Sequence, residues 1–171
     1  PSSDLHGQAI DSEKTRDKIL FGNPNQDCTG IVISCWPSVH VIQEAIAKNV
    51  NLMISHEALF WNHGDHTAWL EESNNSAYLE KKRLLEEHGI VVWRNHDYIH
   101  SGMPLDNGQR YTDGIFYGTM KKMEWDKYLT EDDTNPMAFT LPERSVTDIA
   151  KEWLNKLNVN GAKIIGNPNT K

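Results

Sequence analysis

Residues 50–55, Val50-Asn51-Leu52-Met53-Ile54-Ser55, form an apolar run of strand length that stops abruptly at a polar pair, His56-Glu57. So continuous a run reads as a strand buried on both faces of a parallel sheet rather than an alternating surface strand. Ligands in open α/β sheets sit just beyond the carboxyl ends of such strands. The chain continues through Ala58-Leu59-Phe60-Trp61-Asn62-His63-Gly64-Asp65-His66, which adds further donors at once. A second stretch repeats the arrangement: Ile90-Val91-Val92-Trp93, then Arg94-Asn95-His96-Asp97-Tyr98-Ile99-His100. Two strands that each end in imidazole and carboxylate groups predict one metal site at a sheet edge.

The segments around these runs predict the fold class. Gly30–Cys35 reads as another buried strand, preceded by a short apolar piece, Asp17–Phe21, that runs into a Gly-Asn-Pro turn. Ser38 is placed to cap a helix over Val39–Lys48, whose Val39, Ile42 and Ile46 recur at helical spacing, with Asn49 as its C-cap. Strand, helix and strand at this spacing make a βαβ unit, which crosses over right-handed. A second helix is predicted over Asn75–His88, with Tyr78, Leu79, Leu84 and Leu85 inward and Glu80, Lys81, Lys82, Glu86 and Glu87 in water. Gly89 ends it as a residue tolerant of positive φ. Beyond His100 the reading gives a loop over Ser101–Gly114, a helix over Gly118–Leu129, and a short strand at Met137–Leu141. A helix opening at Ser145 carries the stripe Val146, Ile149, Ala150, Trp153, Leu154 and Leu157. A last strand is expected at Lys163–Ile165. The class is therefore α/β, with a mixed, largely parallel sheet and flanking helices. Residues 1–15 form an N-terminal arm, and residues 16–171 a single metal-binding domain that ends at the start of a second subdomain.

Composition narrows the function classes. With 171 residues, 38% hydrophobic and 24% charged, the chain can bury one ordinary core. A net charge of -7 lacks the basic face that nucleic-acid binding requires. No apolar run approaches the roughly 20 residues of a membrane helix, and Pro1-Ser2-Ser3-Asp4 shows no signal peptide. Two cysteines, Cys28 and Cys35, make no disulfide scaffold, so a reducing, cytoplasmic setting is expected.

Imidazole and carboxylate are the donors that zinc and other first-row divalent ions favour. His56 and Glu57 are adjacent, so at a strand-to-loop transition both can face one crevice, or each can serve one of two ions. His96 and His100 stand four apart, so a helical turn there puts them on one face. Any one of these histidines taken singly reads as an ordinary hydrogen-bonded residue; the set of His56, Glu57, His96 and His100 reads as a site. His63, Asp65 and His66 lie on a Gly-containing loop whose backbone the sequence does not fix, and they read as rim or second-shell groups. Trp61 and Trp69 flank that loop and can wall a planar substrate. His88, at a helix end before Gly89, reads as structural, and His6 and His40 lack supporting context. No phosphate-binding Gly-rich loop and no Ser or Cys nucleophile motif is present, so no catalytic side chain is assigned.

Ile54-Ser55-His56-Glu57-Ala58-Leu59-Phe60 resembles the strand motif Ser-His-His-Pro-Leu-Ile-Phe of the Ngg-one-interacting-factor-three-like dinuclear-metal proteins, the GTP cyclohydrolase type 2 homologue family. His96-Asp97-Tyr98-Ile99-His100 stands where that family has His-Thr-Asn-Leu-Asp. Leu20–Pro24, Gly30–Ile46 and Leu141–Ile149 extend the resemblance over roughly residues 16–165. Two positions depart from the pattern: Glu57 replaces the second His, and His100 replaces the Asp. The resemblance carries His56, Glu57 and His100 over as ligands, with His96 orienting or binding beside them. The family's remaining His and Glu ligands have no counterpart before Lys171, so the chain is expected to be a fragment or to lack half of the site. The resemblance implies one subdomain of a two-subdomain α/β fold, a ring-shaped hexamer, and zinc, iron or manganese as cofactor. It implies metal-dependent hydrolysis of a nucleotide such as GTP, or of another small phosphorylated or heterocyclic substrate. The alternative is a non-catalytic metal-binding or protein-interaction scaffold on the same fold.

Overall fold

A computed structural model of the chain describes residue 11 and residues 13–171, so His6 and most of the expected arm lie outside the described residues. Internal contacts divide the chain into two units, one running to Tyr98 and the other from Ile99 onward.

The first unit is built on four strands: β1 (Ile19–Phe21), β2 (Ile31–Ser34), β3 (Leu52–Ser55) and β4 (Val91–Arg94). Their order is β1-β4-β3-β2, with β2, β3 and β4 parallel and β1 antiparallel on the edge. Two helices make the crossovers, α1 (Val39–Ala47) and α3 (Ser76–Glu87), and a short α2 (Ala68–Glu72) precedes the second. Each long helix starts where its sequence offers a side-chain acceptor: Ser38 takes the Val41 amide and Asn75 the Tyr78 amide. Each ends where left-handed backbone is cheap, at Asn49 (φ 55°) and Gly89 (φ 58°). Ile42, Ala45, Met53, Leu59, Leu85, Ile90 and Val92 form the core between helices and sheet. Truncating Ile42 or Leu85, both at 0% exposure, to Ala should cost about 2–5 kcal/mol.

Two expectations are corrected here. β2 is not buried on both faces: Val32 packs on the core, but Ile31 and Ile33 are 57% and 78% exposed. Alternation sends them to the other face of an edge strand, and apolar composition alone cannot report that. On α3, Leu79 is exposed, whereas the Lys81 ammonium turns inward and donates to the Leu59 carbonyl. The Leu59 carbonyl and the face of the Phe60 ring, whose centroid lies 5.7 Å from the ammonium, offset the loss of water.

The register fixes where chemistry can occur. Ser34, Ser55 and Arg94 pair across the three parallel strands, so these strands end level. The residues that follow, including His56 beside Asn95, therefore stand abreast.

After β4 the chain enters α4 (Asp97–Ser101), within which the two units divide. The second unit opens with a hairpin of β5 (Met103–Leu105) and β6 (Arg110–Thr112), where the sequence predicted only a loop. Its turn uses positive φ at Asp106, Asn107 and Gly108, a composition that reads as loop when no flanking alternation is long enough to mark strands. α5 spans Gly114–Met123, four residues earlier than predicted at its start and six at its end, because Asp113 caps it and Glu124 (φ 60°) terminates it. α6 (Val146–Leu157) begins at the predicted cap, Ser145, which accepts the Asp148 amide. Met120, Met123 and Trp125 are the core of this unit, packed by Phe139, Ile149 and Leu157. Met137–Leu141 makes a single bridge, Leu129 to Phe139, in place of a strand. Lys163–Ile165 is not a strand either; further on, the Pro168 and Thr170 carbonyls accept the first amides of α6.

Candidate metal centre

His56 and Glu57 leave β3 in a bend, with their amides bonded to the carbonyls of Ser34, the last residue of β2, and of Cys35 just beyond it. That bend replaces strand alternation, which would have sent the two side chains to opposite faces. Across the sheet, Asn95 donates to the Ser55 carbonyl, and His96 follows it. The His56 and His96 rings stack, with centroids 4.5 Å apart and planes 16° from parallel.

The loop after Glu57 is fixed by its own polar groups. The Asp65 carboxylate accepts the amides of Leu59, Phe60 and Trp61 at 2.9, 2.8 and 2.9 Å. The Lys81 ammonium holds the Leu59 carbonyl, and Arg94 Nη1 holds the His63 carbonyl at 2.7 Å. This loop carries His63 to the His96 ring, edge to face at 4.7 Å. Glu57, His63 and His96 consequently offer three donor atoms within 4.8 Å of one another. Two imidazoles and a carboxylate at that mutual distance could hold a divalent metal ion.

The proton positions support ligation. A carbonyl or carboxylate only accepts, so a ring nitrogen bonded to one must carry the proton. His56 Nδ1 faces the Asn95 carbonyl at 3.3 Å, and His96 Nδ1 faces Asp97 Oδ1 at 3.1 Å. Both rings therefore direct the lone pair of the neutral imidazole to Nε2, as in metal sites where an acceptor behind the histidine sets its tautomer. In the second unit His100 has the same provision, with Nδ1 2.6 Å from Asp113 Oδ2. His63 differs, because its Nδ1 lies 3.4 Å from the Arg94 guanidinium, which can only donate. Burial, then the charges of Arg16 and Arg94, hold the His63 imidazole below its usual pKa. Burial and the nearby Glu57 push the Cys35 thiol up, the opposite of what a thiolate nucleophile needs.

A protein-family model matches residues 17–171. The chain belongs to the Duf34/NIF3 (NGG1p interacting factor 3) family. The resemblance read from the two His motifs is thereby borne out, and the mixed, largely parallel sheet with flanking helices is consistent with one subdomain of a NIF3 protein. Two crystal structures of Staphylococcus aureus protein SA1388 are similar to this chain. One aligns at 16% identity and a TM-score of 0.58, over 90% of this NIF3 chain and 60% of that one. The other aligns at 22% identity and a TM-score of 0.46, over 63% and 27%. The chain thus spans 60% or less of the length of these structures, and at 16% identity the first likeness is one of fold alone. No curated protein matches it. Among the described residues no helix is long and apolar enough to cross a membrane.

The remaining candidates on this NIF3 chain fall as follows. Asp65 is occupied by loop amides, and the His66 ring packs on Gly64, where an added Cβ would meet it at 2.5 Å. Trp61 rests edge to face on Trp69 at 5.2 Å, and both are about half exposed. Sequence reasoning missed Arg94, Asp17, Asp97 and Asp113. Asp17 accepts the amides of His96, Asp97 and Tyr98, which starts α4 from a distant segment. Arg94, a charge inside an apolar strand, was the clearest visible signal among the four. The adjacency of His96 and Asp97 was a weaker one.

Proposed function

We propose that this chain binds a divalent metal ion, with zinc, iron or manganese preferred, through His56, Glu57, His96 and His100. Its role is metal-dependent hydrolysis of a nucleotide or another small phosphorylated or heterocyclic substrate. The observation that carries the reading is the pair of His56 and His96, stacked at 4.5 Å past neighbouring strands with each Nδ1 committed to an acceptor. His100 enters through its motif position, four residues beyond His96. A bound ion would supply Lewis acidity and a water of lowered pKa. The protein's part is to fix the ligands before binding: Asn95 and Asp97 set the tautomers of His56 and His96, and Asp65 and Arg94 hold the loop that carries His63. Trp61 and Trp69 supply an apolar wall at the rim on which a heterocycle can rest.

The test is elemental analysis of the purified protein, followed by turnover assays on nucleotides and phosphoesters with the ion identified. Ions present in fixed ratio together with hydrolysis are expected. A protein that holds no ion overturns the reading. Bound metal with no turnover favours the second reading, a metal-binding interaction scaffold, which the exposed apolar Ile31, Ile33 and Trp36 also support. Those residues agree with a homo-oligomer, a hexamer by the resemblance, and light scattering should return a multiple of 19.5 kDa; the cytoplasmic setting rests on the two free cysteines alone.

A further inference from the structure

Of the cations around the candidate metal centre, Arg94 and Lys81 are committed to the protein itself. Arg94 is 1% exposed, its Nε and Nη1 donate to the His56 and His63 carbonyls, and its Nη2 faces His63 Nδ1 and Glu57 Oε2. The Lys81 ammonium is held by the Leu59 carbonyl against the Phe60 ring. Arg16 differs. Its main-chain amide donates to Asp97 Oδ2 at 2.9 Å, and its Nη1 lies 3.5 Å from Asp97 Oδ1, the oxygen that also faces His96 Nδ1 at 3.1 Å. The side chain is 41% exposed, yet its Nε is buried without an acceptor, and Nη2 meets none among the described residues. A buried donor left without an acceptor costs free energy, and more so on a charged group.

We propose that the Nε–Nη2 edge of Arg16 binds the phosphate group of the substrate. The inference rests on the metal-binding reading above and narrows its substrate class to a phosphate ester or nucleotide, in preference to a neutral heterocycle. A guanidinium presents its Nε and Nη2 hydrogens side by side, a fork that matches two oxygens of one phosphate. Asp97 steadies the group from Nη1 and leaves that fork open. Because one oxygen of Asp97 serves both Arg16 and His96, the anion and the ligand imidazole are aligned by the same atom. The charge of Arg16 stands close to the centre: after burial, it is the leading cause that holds the His63 imidazole below its usual pKa. A chain of net charge -7 repels a dianion at long range, so a phosphate is held here only by a fixed local cation.

The experiment titrates the full chain, loaded with zinc and freed of excess ion, with inorganic phosphate by calorimetry, while elemental analysis counts zinc in each variant. The wild type should bind phosphate. Arg16→Met, which keeps the main-chain bond to Asp97, should hold the same zinc and bind phosphate at least fivefold more weakly. Arg16→Lys, which keeps the charge but not the fork, should lose at least threefold. A zinc-loaded wild type that takes no phosphate, or a loss under fivefold in Arg16→Met, overturns the inference and leaves metal binding standing. Zinc that the wild type holds and Arg16→Met loses would make Arg16 a support of His96, which overturns the inference as well. If far-ultraviolet dichroism shows that Arg16→Met does not fold, Arg16→Lys decides, and a loss under threefold overturns the inference. If the wild type holds no zinc, the metal-free chain is titrated. Phosphate binding that Arg16→Met abolishes then supports the anion edge and overturns the metal reading alone; any other result overturns both.

Discussion

Asp97 Oδ1 lies 3.1 Å from His96 Nδ1, and its other oxygen takes the Arg16 amide at 2.9 Å. The carboxylate is therefore anchored before it orients the imidazole. Burial raises the Asp97 pKa, but the Arg16 amide and the bond to His96 outweigh it, so the group is held below the usual carboxylate value. Acceptors behind metal-binding histidines are worth about 10–100-fold in affinity. Asp97→Asn, whose amide still accepts but without charge, should weaken zinc binding by about tenfold, and calorimetry measures this. An unchanged affinity would remove His96 from the ligand set.

His56→Ala should abolish stoichiometric metal while leaving the fold intact. Met53, Val92 and Ile42, core residues of β3, β4 and α1, do not depend on the ring. Elemental analysis and circular dichroism on one preparation test both halves. Metal retained in both His56→Ala and His100→Ala would shift the assignment to Glu57, His63 and His96.

Asp65→Ala leaves the amides of Leu59, Phe60 and Trp61 without the acceptor they share. Losing charge-assisted bonds at a partly buried position costs about 1.5–3 kcal/mol. Urea unfolding should show a loss of that order. A loss below about 0.5 kcal/mol would mean that water replaces the carboxylate at the loop without penalty.

Burial lowers the Lys81 pKa to about 8, against a smaller opposing pull from Asp65. Between about pH 8 and 10.5 the unfolded chain therefore holds a proton that the folded one has released. Stability from this group rises with pH across that window and is absent below it. The unfolding free energy of the wild type relative to Lys81→Met should increase between pH 7.5 and pH 9.5. A flat difference would place the ammonium in water.

Much of the site could be read directly from local pattern. The run Leu52–Ser55 ending at His56, and its echo at Ile90–Trp93, marked two neighbouring parallel strands, because a strand buried on both faces has no polar alternation to hide it. Caps at Ser38, Asn75 and Ser145 marked helix starts, because a side-chain acceptor is needed within the first turn. The hairpin at Met103–Thr112 escaped notice, since three-residue strands are too short to show a period.

What the sequence determined by itself, then, is the α/β class, the parallel core, and the identity of the imidazoles and carboxylates at its carboxyl edge. All of these follow from spacing along one segment. Tertiary structure alone decided which of those groups meet. It brought His63 to His96 across a loop locked by Asp65, set Asp17 under the first turn of α4 from 79 residues away, and ran the buried Arg94 guanidinium between Glu57 and His63. The physical reason is that a hydrogen bond or ion pair depends on separations of about 3 Å in space, and separation along the chain carries no information about those once the backbone turns.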